Sequence, residues 1–548
     1  MTWQSETVAA SNTYREFLAS MVAIMTSKHV SAVAVNAAGS GYVVGDVVTL
    51  AHASGHHECK LEVLTIGGSG EILTVRINDG GAYQERVASA VVNAAGTGYV
   101  VGDILKVSKG TGVAREDCFV EVATLSGSGV ATVTIHHTGG SYTTSPSPTT
   151  AAATTGVSSA FAGDDACTLD LTLQTIMGAT GIAATGGTGS SATFDPTLTE
   201  TGWTTLYDMF DHNWGSQDDN GAGDAFERDV VLEGTVASGD TPIIGFASVM
   251  GTSGSLDRYA ICCFGMTAFN PSLALTAQPN IGPLAWTVAS NNGSHILVTE
   301  EVAEGNLWGI SANGRRVTGY IRGNVSGETD SYHTFYVGFK NQYGTATTSP
   351  YPLMVAGSAY NYNQDTFDSA HTGLAECYQE DAAVNGPVYF LRKTDLAWVE
   401  VVNGSVSSVQ TSKVMFPLGT VAESTDGPNQ IITDDNFKRL GDGGTLSSSL
   451  RANLAVYNYP APGTNDEFVL LPLTVIDRGS TGGSDDVDTH IAGELDGCFW
   501  TGGTKADGTS FTSEDYIENA AGDRYITVPC NSQSLTSRRY QFMLIRQD

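Results

Sequence analysis

Short apolar runs broken by glycine, asparagine and aspartate dominate the hydrophobic pattern of this 548-residue chain. The runs are rich in β-branched and aromatic residues, which fit the pleated surface of a sheet, and the residues between them favour tight turns. After residue 200 the runs are DVVLEG, PIIGFASV, LWGISANGRRVTGYI, TFYVGF, YPLMVAG, PVYFLRK, FVLLPLTVI, GCFW and RYITVPC. The pattern predicts a mainly β fold in which this large region packs as a β-sandwich-like body.

One segment near the N-terminus has a helical period instead. Thr13 and Glu16 have the spacing of a capping box. Apolar residues then recur at intervals of three and four, namely Tyr14, Phe17, Leu18, Met21, Ile24 and Met25. This stripe predicts an N-terminal helix. The helix packs on its own domain, or it forms a bundle with the same helix of other subunits, which would make residues 1–28 an assembly helix.

Two stretches of the chain are near copies of each other. Residues 36–46 read NAAGSGYVVGD and residues 93–103 read NAAGTGYVVGD, so ten of eleven positions agree. Further matches follow at an offset of 59 rather than 57, which a two-residue insertion explains: Cys59 with Cys118, Gly70 with Gly129, and Tyr83 with Tyr142. Each copy predicts a β-hairpin around a glycine-serine turn, with the tyrosine and the valines of GYVVGD in its core.

A weaker third echo, CTLDLTL, begins at Cys167 and suggests that the module runs two and a half times. Residues 143–156 and 178–192 lose periodicity and are predicted to be linkers or long surface loops. A parallel β-helix would need many short coils of similar length, which these two long units do not supply. The predicted domains are an N-terminal assembly helix (1–28), a Gly-rich tandem β repeat module with linkers (29–200), a β-rich body (201–370) and a C-terminal β-rich domain (371–548).

Net charge narrows the range of partners. With 58 acidic and 26 basic residues the formal charge is −32, which leaves no basic surface for nucleic acid. No apolar run is long enough to cross a bilayer, and REFLASMVAIM lacks the cationic start of a signal peptide. We therefore expect no membrane insertion and synthesis in the cytoplasm. Eight cysteines without a C-x-x-C spacing predict free, mostly buried thiols rather than a disulfide scaffold or a zinc ribbon.

Several clusters carry ligand-type side chains, but none has the spacing of a known site. HHEC (56–59) offers imidazole and thiolate to a metal, yet adjacent strand residues point to opposite faces, and the second copy reads REDC there. DDNGAGD (218–224) and GGSDDVD (482–488) lack EF-hand spacing, so solvated acidic loops are favoured over calcium sites. Cys59, Cys118 and Cys167 are predicted to be buried, with disulfides between units or subunits as the alternative. Cys262 and Cys263 are predicted to lie in a strand core.

Arg315 and Arg316 stand out in so acidic a chain. They follow Asn313-Gly314, a favoured hairpin turn, so we predict that they start a strand and that one pairs with carboxylates of its own or a neighbouring subunit. The chain has no G-x-S-x-G, G-K-[ST] or H-E-x-x-H motif. A glycosidase stays open, because its two carboxylates need only be close in space. We assign no catalytic, cofactor-binding or metal-binding residue and expect no enzymatic activity.

Three segments resemble a family of tailed-bacteriophage virion structural proteins. They are EGNLWGISANGRRVTGYI (304–321), YHTFYVGFKNQYGTATTSPYPLMVAGS (332–358) and GELDGCFW (493–500), the last followed by DRYITVPCNSQ and a terminal aromatic strand. Their order and spacing are similar to the family in outline over residues 200–548. Similar proteins open with a short helix that leads quickly to a Gly-Trp pair, here Gly202 and Trp203. The copies between the helix and this pair therefore look like an insertion.

The resemblance implies a structural part of the virion, in the tail, baseplate or collar, present as a symmetric homo-oligomer in contact with other virion proteins. It implies no catalytic activity, and the shared motifs look architectural. Two alternatives from other classes stay open. One is a carbohydrate-binding protein that reads host-surface glycans through exposed aromatic residues, and the other is a polysaccharide-cleaving spike.

Overall fold

The structure, a computed structural model, describes residues 2–7, 14–140, 142, 145–157, 161–210, 228–237, 239–253, 256–283, 294–298, 307–325, 328–342, 351–357, 388–391, 396, 398–401, 413–416, 470–478, 489–502, 514–519, 521–529 and 541–547. Over these residues the fold is mainly β, with one α-helix near the N-terminus, a 3-10 turn at Leu275–Ala277 and antiparallel sheets. The predicted fold class, a mainly β protein with an N-terminal helix and a β-rich body, is confirmed. Among the described helices, none has the length and apolarity needed to cross a membrane.

Two sheets face each other in the body. The first sheet has the spatial order β1 (Thr2–Thr7), β21 (Leu307–Asn313), β22 (Arg316–Val325), β23 (Glu328–Phe339), β24 (Leu353–Ala356), β25 (Val388–Leu391) and β26 (Trp398–Val401). The second has the order β16 (Trp203–Phe210), β17 (Arg228–Gly234), β18 (Ile243–Ser253), β19 (Leu256–Met266) and β20 (Ser294–Val298). Apolar side chains of both sheets share one core, which is the arrangement of a β-sandwich.

The helix α1 (Tyr14–Thr26) lies in this same core. It contacts β16, β18, β19 and β21, and the Phe17 ring meets Trp308 and Phe335 edge-on, with centroids 5.9 and 6.4 Å apart. The buried residues of the helix include Phe17, Leu18, Met21, Val22, Ala23, Ile24 and Met25. The predicted stripe is therefore correct, but the assembly-helix interpretation is wrong, because these residues are covered within their own chain.

The chain leaves the body at Ser27 and returns to it at Thr201. The Thr201 amide donates a hydrogen bond to the Ser27 carbonyl at 3.1 Å, and Lys28 pairs with Glu200. Everything between these points is inserted into the body. Gly202 then adopts a positive φ of 106° before the buried Trp203, so the chain turns sharply back into the second sheet.

The inserted segment forms two units, one inside the other. The first unit contains β2 (Lys28–Ser40), β3 (Val47–Leu50), β4 (Gly55–His57), β5 (Cys59–Ile66), β6 (Ile72–Asp79), β7 (Ala82–Tyr83), β14 (Ile182–Ala183) and β15 (Ser190–Glu200). The second unit lies between β7 and β14 and contains β8 (Arg86–Ala94), β9 (Ile104–Val107), β10 (Glu116–Ser126), β11 (Gly129–Gly140), β12 (Ala152–Gly156) and β13 (Thr168–Gln174). Each unit has its own hydrophobic core.

Each unit contains the same turn, held by equivalent hydrogen bonds at equivalent positions. Asp46 accepts a hydrogen bond from the Val43 amide at 3.0 Å, and Asp103 accepts one from the Val100 amide at 2.9 Å. Tyr42 and Tyr99 are buried at 2% exposure, as predicted for the tyrosine of GYVVGD. The valines of this motif are 49–60% exposed in both units, so the prediction that they supply core is wrong. The aspartate fixes a tight turn that directs the tyrosine inward and leaves the valines outside.

The segment at Cys167 is not a third copy. Its strand β13 pairs with β8 just as β15 pairs with β2, so Cys167 corresponds to Ala192 rather than to Cys59. Asn93 donates to Asp170 at 3.0 Å, and Asn36 donates to Asp195 at 3.1 Å, which marks the same position in both closing strands. The stretches predicted to be linkers contain β12, β14 and the first residues of β15; β12 and β14 have only five and two residues, too few to show a strand period.

A third sheet follows the body in the sequence. Its spatial order is β27 (Lys413–Phe416), β28 (Leu471–Arg478), β29 (Thr489–Gly502), β32 (Gln541–Arg546), β31 (Arg524–Pro529) and β30 (Tyr516–Glu518). It meets the body where Asn341 and Glu494 exchange two backbone hydrogen bonds of 2.8 Å. The predicted boundary at residue 370 is wrong, because β25 and β26 continue the first sheet to Val401.

We expect the body to fold without the insertion. In a variant whose residues 28–200 are replaced by a short Gly-Ser linker, Ser27 and Thr201 stay adjacent, so closing the loop costs little entropy. Far-UV circular dichroism should show β structure with a cooperative thermal transition. A control deletion of equal length, residues 60–232, removes core strands and should abolish the transition. If both variants fail to fold cooperatively, the insertion is not separable from the body.

Candidate functional site: the buried junction of the inserted units

Four titratable side chains meet where the second unit contacts the body. Arg228, at the start of β17, binds Asp208 of β16 through two hydrogen bonds of 2.9 and 2.8 Å. Its Nη2 also donates to Glu116 Oε1 at 2.9 Å and lies 3.2 Å from His137 Nε2. His137 Nε2 is hydrogen-bonded to Glu116 Oε1 as well. We call Glu116, His137, Asp208 and Arg228 the junction cluster.

The junction cluster is almost completely buried. Glu116, Asp208 and Arg228 are 0%, 1% and 3% exposed. Charges removed from water in this way are tolerated only when they are paired and hydrogen-bonded. The bidentate arginine-carboxylate geometry provides that pairing. The cluster therefore joins the second unit to the body through contacts that neither part can make alone.

The charges of the cluster hold one another in the ionised state. Burial by itself would raise the pKa of Glu116, but His137 and Arg228 outweigh it and lower the pKa to about 2. Burial also acts against the Arg228 cation, yet Asp208 and Glu116 raise its pKa above the usual value. For Asp208, burial is the largest influence and raises the pKa, with Arg228 opposing it. The two hydrogen bonds from Arg228 favour the carboxylate, so we take Asp208 as ionised at neutral pH.

Further backbone and side-chain hydrogen bonds surround the cluster and fix the second unit on β16. The Thr205 amide donates to the Arg115 carbonyl at 2.8 Å, and Arg115 Nη1 donates to the Trp203 carbonyl at 3.1 Å. Thr26, at the end of α1, donates to Glu116 Oε2 at 3.4 Å. Helix, body and second unit therefore share one polar contact point.

The first unit uses the same two positions to contact the body. With the offset of 59, His56 and His57 correspond to Arg115 and Glu116. His57 packs edge-on against Trp308 with centroids 5.1 Å apart, and His56 Nε2 lies 3.4 Å from Ser20 Oγ of the helix. The positions two and three residues before Cys59 and Cys118 are thus the docking positions of both units.

Glu116, His137 and Asp208 also have the composition of a metal site. One ligand atom from each lies within 4.8 Å of the others, and a divalent cation accepts carboxylate and imidazole ligands. Arg228 Nη2, however, lies 2.8–3.2 Å from ligand atoms of all three residues. The guanidinium therefore supplies the positive charge at the position that a metal would take, and the residues do not fit a resident cation.

The HHEC segment does not form a metal site in the structure. The rings of His56 and His57 meet edge-on at 4.8 Å, Glu58 is exposed and Cys59 is buried. Part of the His56 surface reaches solvent, but burial of the ring is the main cause that lowers its pKa to about 3. The predicted polar cluster beside a turn is therefore a docking segment. The acidic loops at 218–224 and 482–488 lie outside the described residues.

Arg315 and Arg316 lie where the hairpin prediction put them. The turn joins β21 to β22, and Asn313 Oδ1 accepts the backbone amides of both arginines at 2.9 and 3.1 Å. Arg316 is fully buried, with Nε 3.5 Å from Asp496 Oδ2 of the third sheet. Burial would raise the pKa of Asp496, but the charge of Arg316 and the hydrogen bonds from Asn313 and Asn341 lower it. This pair joins body and third sheet in the way that the junction cluster joins body and second unit.

The described cysteines are free and buried, as predicted. They are Cys59, Cys118, Cys167, Cys262, Cys263 and Cys498, whereas Cys377 and Cys530 lie outside the described residues. Burial is the main cause that raises the pKa of Cys118 to about 12 and raises those of Cys59 and Cys167. Thiols that stay protonated are poor nucleophiles and poor metal ligands.

Acid should weaken the protein before the carboxylates titrate. Burial lowers the pKa of His29 to about 4 and that of His56 to about 3. An unfolded histidine titrates near 6.5, so below that pH the unfolded chain binds protons that the folded one does not, and stability falls. Each histidine should cost about 2 kcal/mol at pH 5 relative to pH 7.5. Urea unfolding at both pH values measures the loss, which His56→Gln should halve. Equal stability at both pH values would contradict it.

This chain matches no protein-family model and no curated protein. Similarity therefore assigns it to no family.

Proposed function

We propose that the protein is a structural component of a tailed-phage virion, in the tail, baseplate or collar, that assembles as a symmetric homo-oligomer and contacts other virion proteins. One observation carries this proposal. Two β units with equivalent turns are inserted into the body between Ser27 and Thr201, which remain hydrogen-bonded to each other. Proteins that extend a surface by adding modules are built in this way. The sequence resemblance over residues 200–548 supports a tailed-phage virion as the particle in which it assembles.

The junction cluster supports an architectural role. Its carboxylates and imidazole are held by Arg228 in a buried site, so they are arranged to fix parts of the chain together rather than to meet a substrate. A general acid or base must instead reach the proton that it transfers. Arg316 and Asp496 form a second ion pair of this kind, between the body and the third sheet.

Recognition of host glycans has less support among the described residues. Sugar-binding surfaces use exposed aromatic rings, whereas the exposed large apolar residues here are aliphatic except for Tyr516. Tyr516 is 55% exposed, and its ring is covered by the Arg524 guanidinium, 4.6 Å from the centroid. A binding or cleaving spike is therefore the second candidate and not the first.

Mass spectrometry of purified virions, compared with separated heads and tails, tests the proposal. We expect peptides of this chain in intact particles and in the tail fraction, in a constant ratio to known tail proteins. Absence from every fraction would overturn the virion assignment. Incubation of the pure protein with host envelope glycans separates the alternatives, because binding without cleavage indicates a receptor reader and new reducing ends indicate a glycosidase.

A further inference from the structure

Three histidines lie where the inserted units meet the body. His57 of the first unit packs edge-on against Trp308, and His56 Nε2 lies 3.4 Å from Ser20 Oγ of α1. His137 of the second unit belongs to the junction cluster. We call His56, His57 and His137 the histidine seam. Imidazole is the side chain whose charge changes most readily between pH 5 and pH 8, so the position of these residues makes the contact sensitive to acid.

A protonated His56 would meet more positive than negative charge. The groups that face His56 are His57 on its own strand, Ser20 on α1, and Arg86, Glu116 and His137 on the second unit. Among these groups Glu116 is the carboxylate, and Arg228 is already bound to it at 2.9 Å. Glu116 favours a proton on His56, but His57, His137 and Arg86 oppose it. The seam is therefore built for a neutral ring at His56.

Burial keeps this ring neutral while the units are docked. Burial is the main cause that lowers the pKa of His56 to about 3, although part of its surface reaches solvent. When the units move off the body, the ring enters water and its pKa returns to about 6.5. Undocking then takes up a proton at any pH between these two values, so a lower pH favours the undocked arrangement.

The insertion is connected to the body by one narrow neck. The chain leaves at Ser27 and returns at Thr201, and these two residues are hydrogen-bonded to each other. Gly202 follows directly with a positive φ of 106°. Because both connections lie side by side, the units can rotate about this neck while every strand of the body keeps its partners. A few residues at the ends of elements are the usual hinge of such a movement.

Apolar contact between the insertion and the body is small. Among the residues that the structure describes, Ala82 alone represents the insertion in the shared body core. Met209 of the body adds a contact to a small apolar cluster of the second unit. The ion pair of Arg76 with Glu518 reaches the third sheet at a partly exposed site, where such pairs contribute little. The polar groups of the seam and the junction cluster therefore decide whether the units stay docked.

We infer that the histidine seam is an acid-sensitive contact, in which protonation of His56 releases the inserted units from the body and lets them rotate about the neck at Ser27 and Thr201. The body itself stays folded. This inference goes beyond the proposed structural role, because it adds a condition under which the units change position, and it does not depend on the kind of particle.

The junction cluster does not respond in the same pH range. Its carboxylate Glu116 has a pKa of about 2, so it is still ionised at pH 5. Between pH 7.5 and pH 5, His56 and not Glu116 is therefore the group that drives undocking.

Hydrogen exchange mass spectrometry of the full-length protein at pH 7.5 and pH 5, corrected for intrinsic exchange, tests the inference. The reporter is β16, because the Thr205 amide donates to the Arg115 carbonyl of the second unit at 2.8 Å. The strand β22 reports the body core. We expect the opening constant at β16 to rise about thirtyfold at pH 5, the factor for one histidine whose pKa moves between about 3 and 6.5. At both pH values β22 should remain more protected than β16.

Two variants test the role of His56. His56→Gln keeps a polar side chain beside Ser20 but takes up no proton, so the rise at β16 should be lost. Ser20→Asp places a carboxylate beside the docked ring, which stabilises its charged form and should reduce the rise. His52→Gln is the matched control, because His52 Nδ1 is hydrogen-bonded to Ser54 Oγ within the first unit at 2.9 Å. The control should keep the full rise.

Three results would overturn the inference. Exchange at β16 that does not rise at pH 5 in the wild type would show that acid leaves the units docked. A rise that persists in His56→Gln would assign the effect to other groups. Equal exchange of β16 and β22 at pH 5 would show that the whole protein opens, so that the neck is not a hinge. The virion assignment is tested separately by mass spectrometry and is unaffected by these outcomes.

Discussion

Replacing Arg228 with alanine is expected to lower the free energy of unfolding by about 3–5 kcal/mol, because it leaves Asp208 and Glu116 buried without a cation. Urea unfolding followed by tryptophan fluorescence measures the loss, and Trp203 lies on the same strand as Asp208. Arg546→Ala is the control. Arg546 pairs with Asp523 at 2.6 Å at a partly exposed site, so its loss should cost at most about 1 kcal/mol.

Removing the buried carboxylates along with the cation should restore much of this stability. A triple variant, Arg228→Met with Glu116→Met and Asp208→Leu, removes the buried charges of these three residues, and replacing a buried ion cluster by hydrophobic residues of similar volume is often close to neutral. We expect it to be more stable than Arg228→Ala alone. Equal losses for Arg228→Ala and Arg546→Ala would show that the junction cluster does not hold the units to the body.

Replacing Trp203 with alanine should cost a similar amount, about 3–5 kcal/mol, because it empties the space of a fully buried indole in the body core. The indole Nε1 also donates to the Asn313 carbonyl at 2.6 Å, which ties the point of chain return to the β21-β22 turn. Trp203→Phe keeps most of the ring and loses this hydrogen bond, so about 1–2 kcal/mol is expected.

Trp398→Ala is the matched control for this substitution. Trp398 also donates to a backbone carbonyl, that of Asn280 at 2.9 Å, but it is only partly buried at the edge of the same core. Its loss should lower the unfolding free energy by clearly less than the loss of Trp203. If both variants lose the same amount, Trp203 is not an anchor of the returning chain.

Features set by neighbouring residues could be predicted from the sequence. The apolar stripe from Tyr14 to Met25 predicted the helix, and the Asn313-Gly314 pair predicted the hairpin between β21 and β22. Ten shared positions in residues 36–46 and 93–103 predicted a tandem repeat module, which is not confirmed, because the second unit lies inside the first rather than after it. For the helix and the hairpin, the responsible residues lie within a few positions of one another along the chain.

Features set by distant partners could not be predicted. Glu116 and Arg228 are 112 residues apart, and no local pattern connects them. The only signal was that charged or titratable residues precede the cysteine in both copies, at His57 and Glu116. The strand β1 was missed for the same reason, since its sequence, TWQSET, is mostly polar and its partner β21 is about 300 residues away along the chain.

The valines of GYVVGD show a different limit. Tyr42 and the two valines after it are all apolar, so composition predicts burial for each. In a tight turn there is no period to separate inside from outside. The hydrogen bond from the Val43 amide to Asp46 sets the turn, and only the tyrosine then faces the core.

Metal content of the full-length protein most directly tests whether the junction cluster only joins the second unit to the body or is a reactive centre. The protein would be equilibrated with Zn²⁺ or Mn²⁺, freed of unbound metal and measured by inductively coupled plasma mass spectrometry. Because Arg228 supplies the cation beside Glu116, His137 and Asp208, we expect no ion to be retained in proportion to protein. One retained ion per chain that Glu116→Gln abolishes would contradict this structural role and reopen the case for an enzyme.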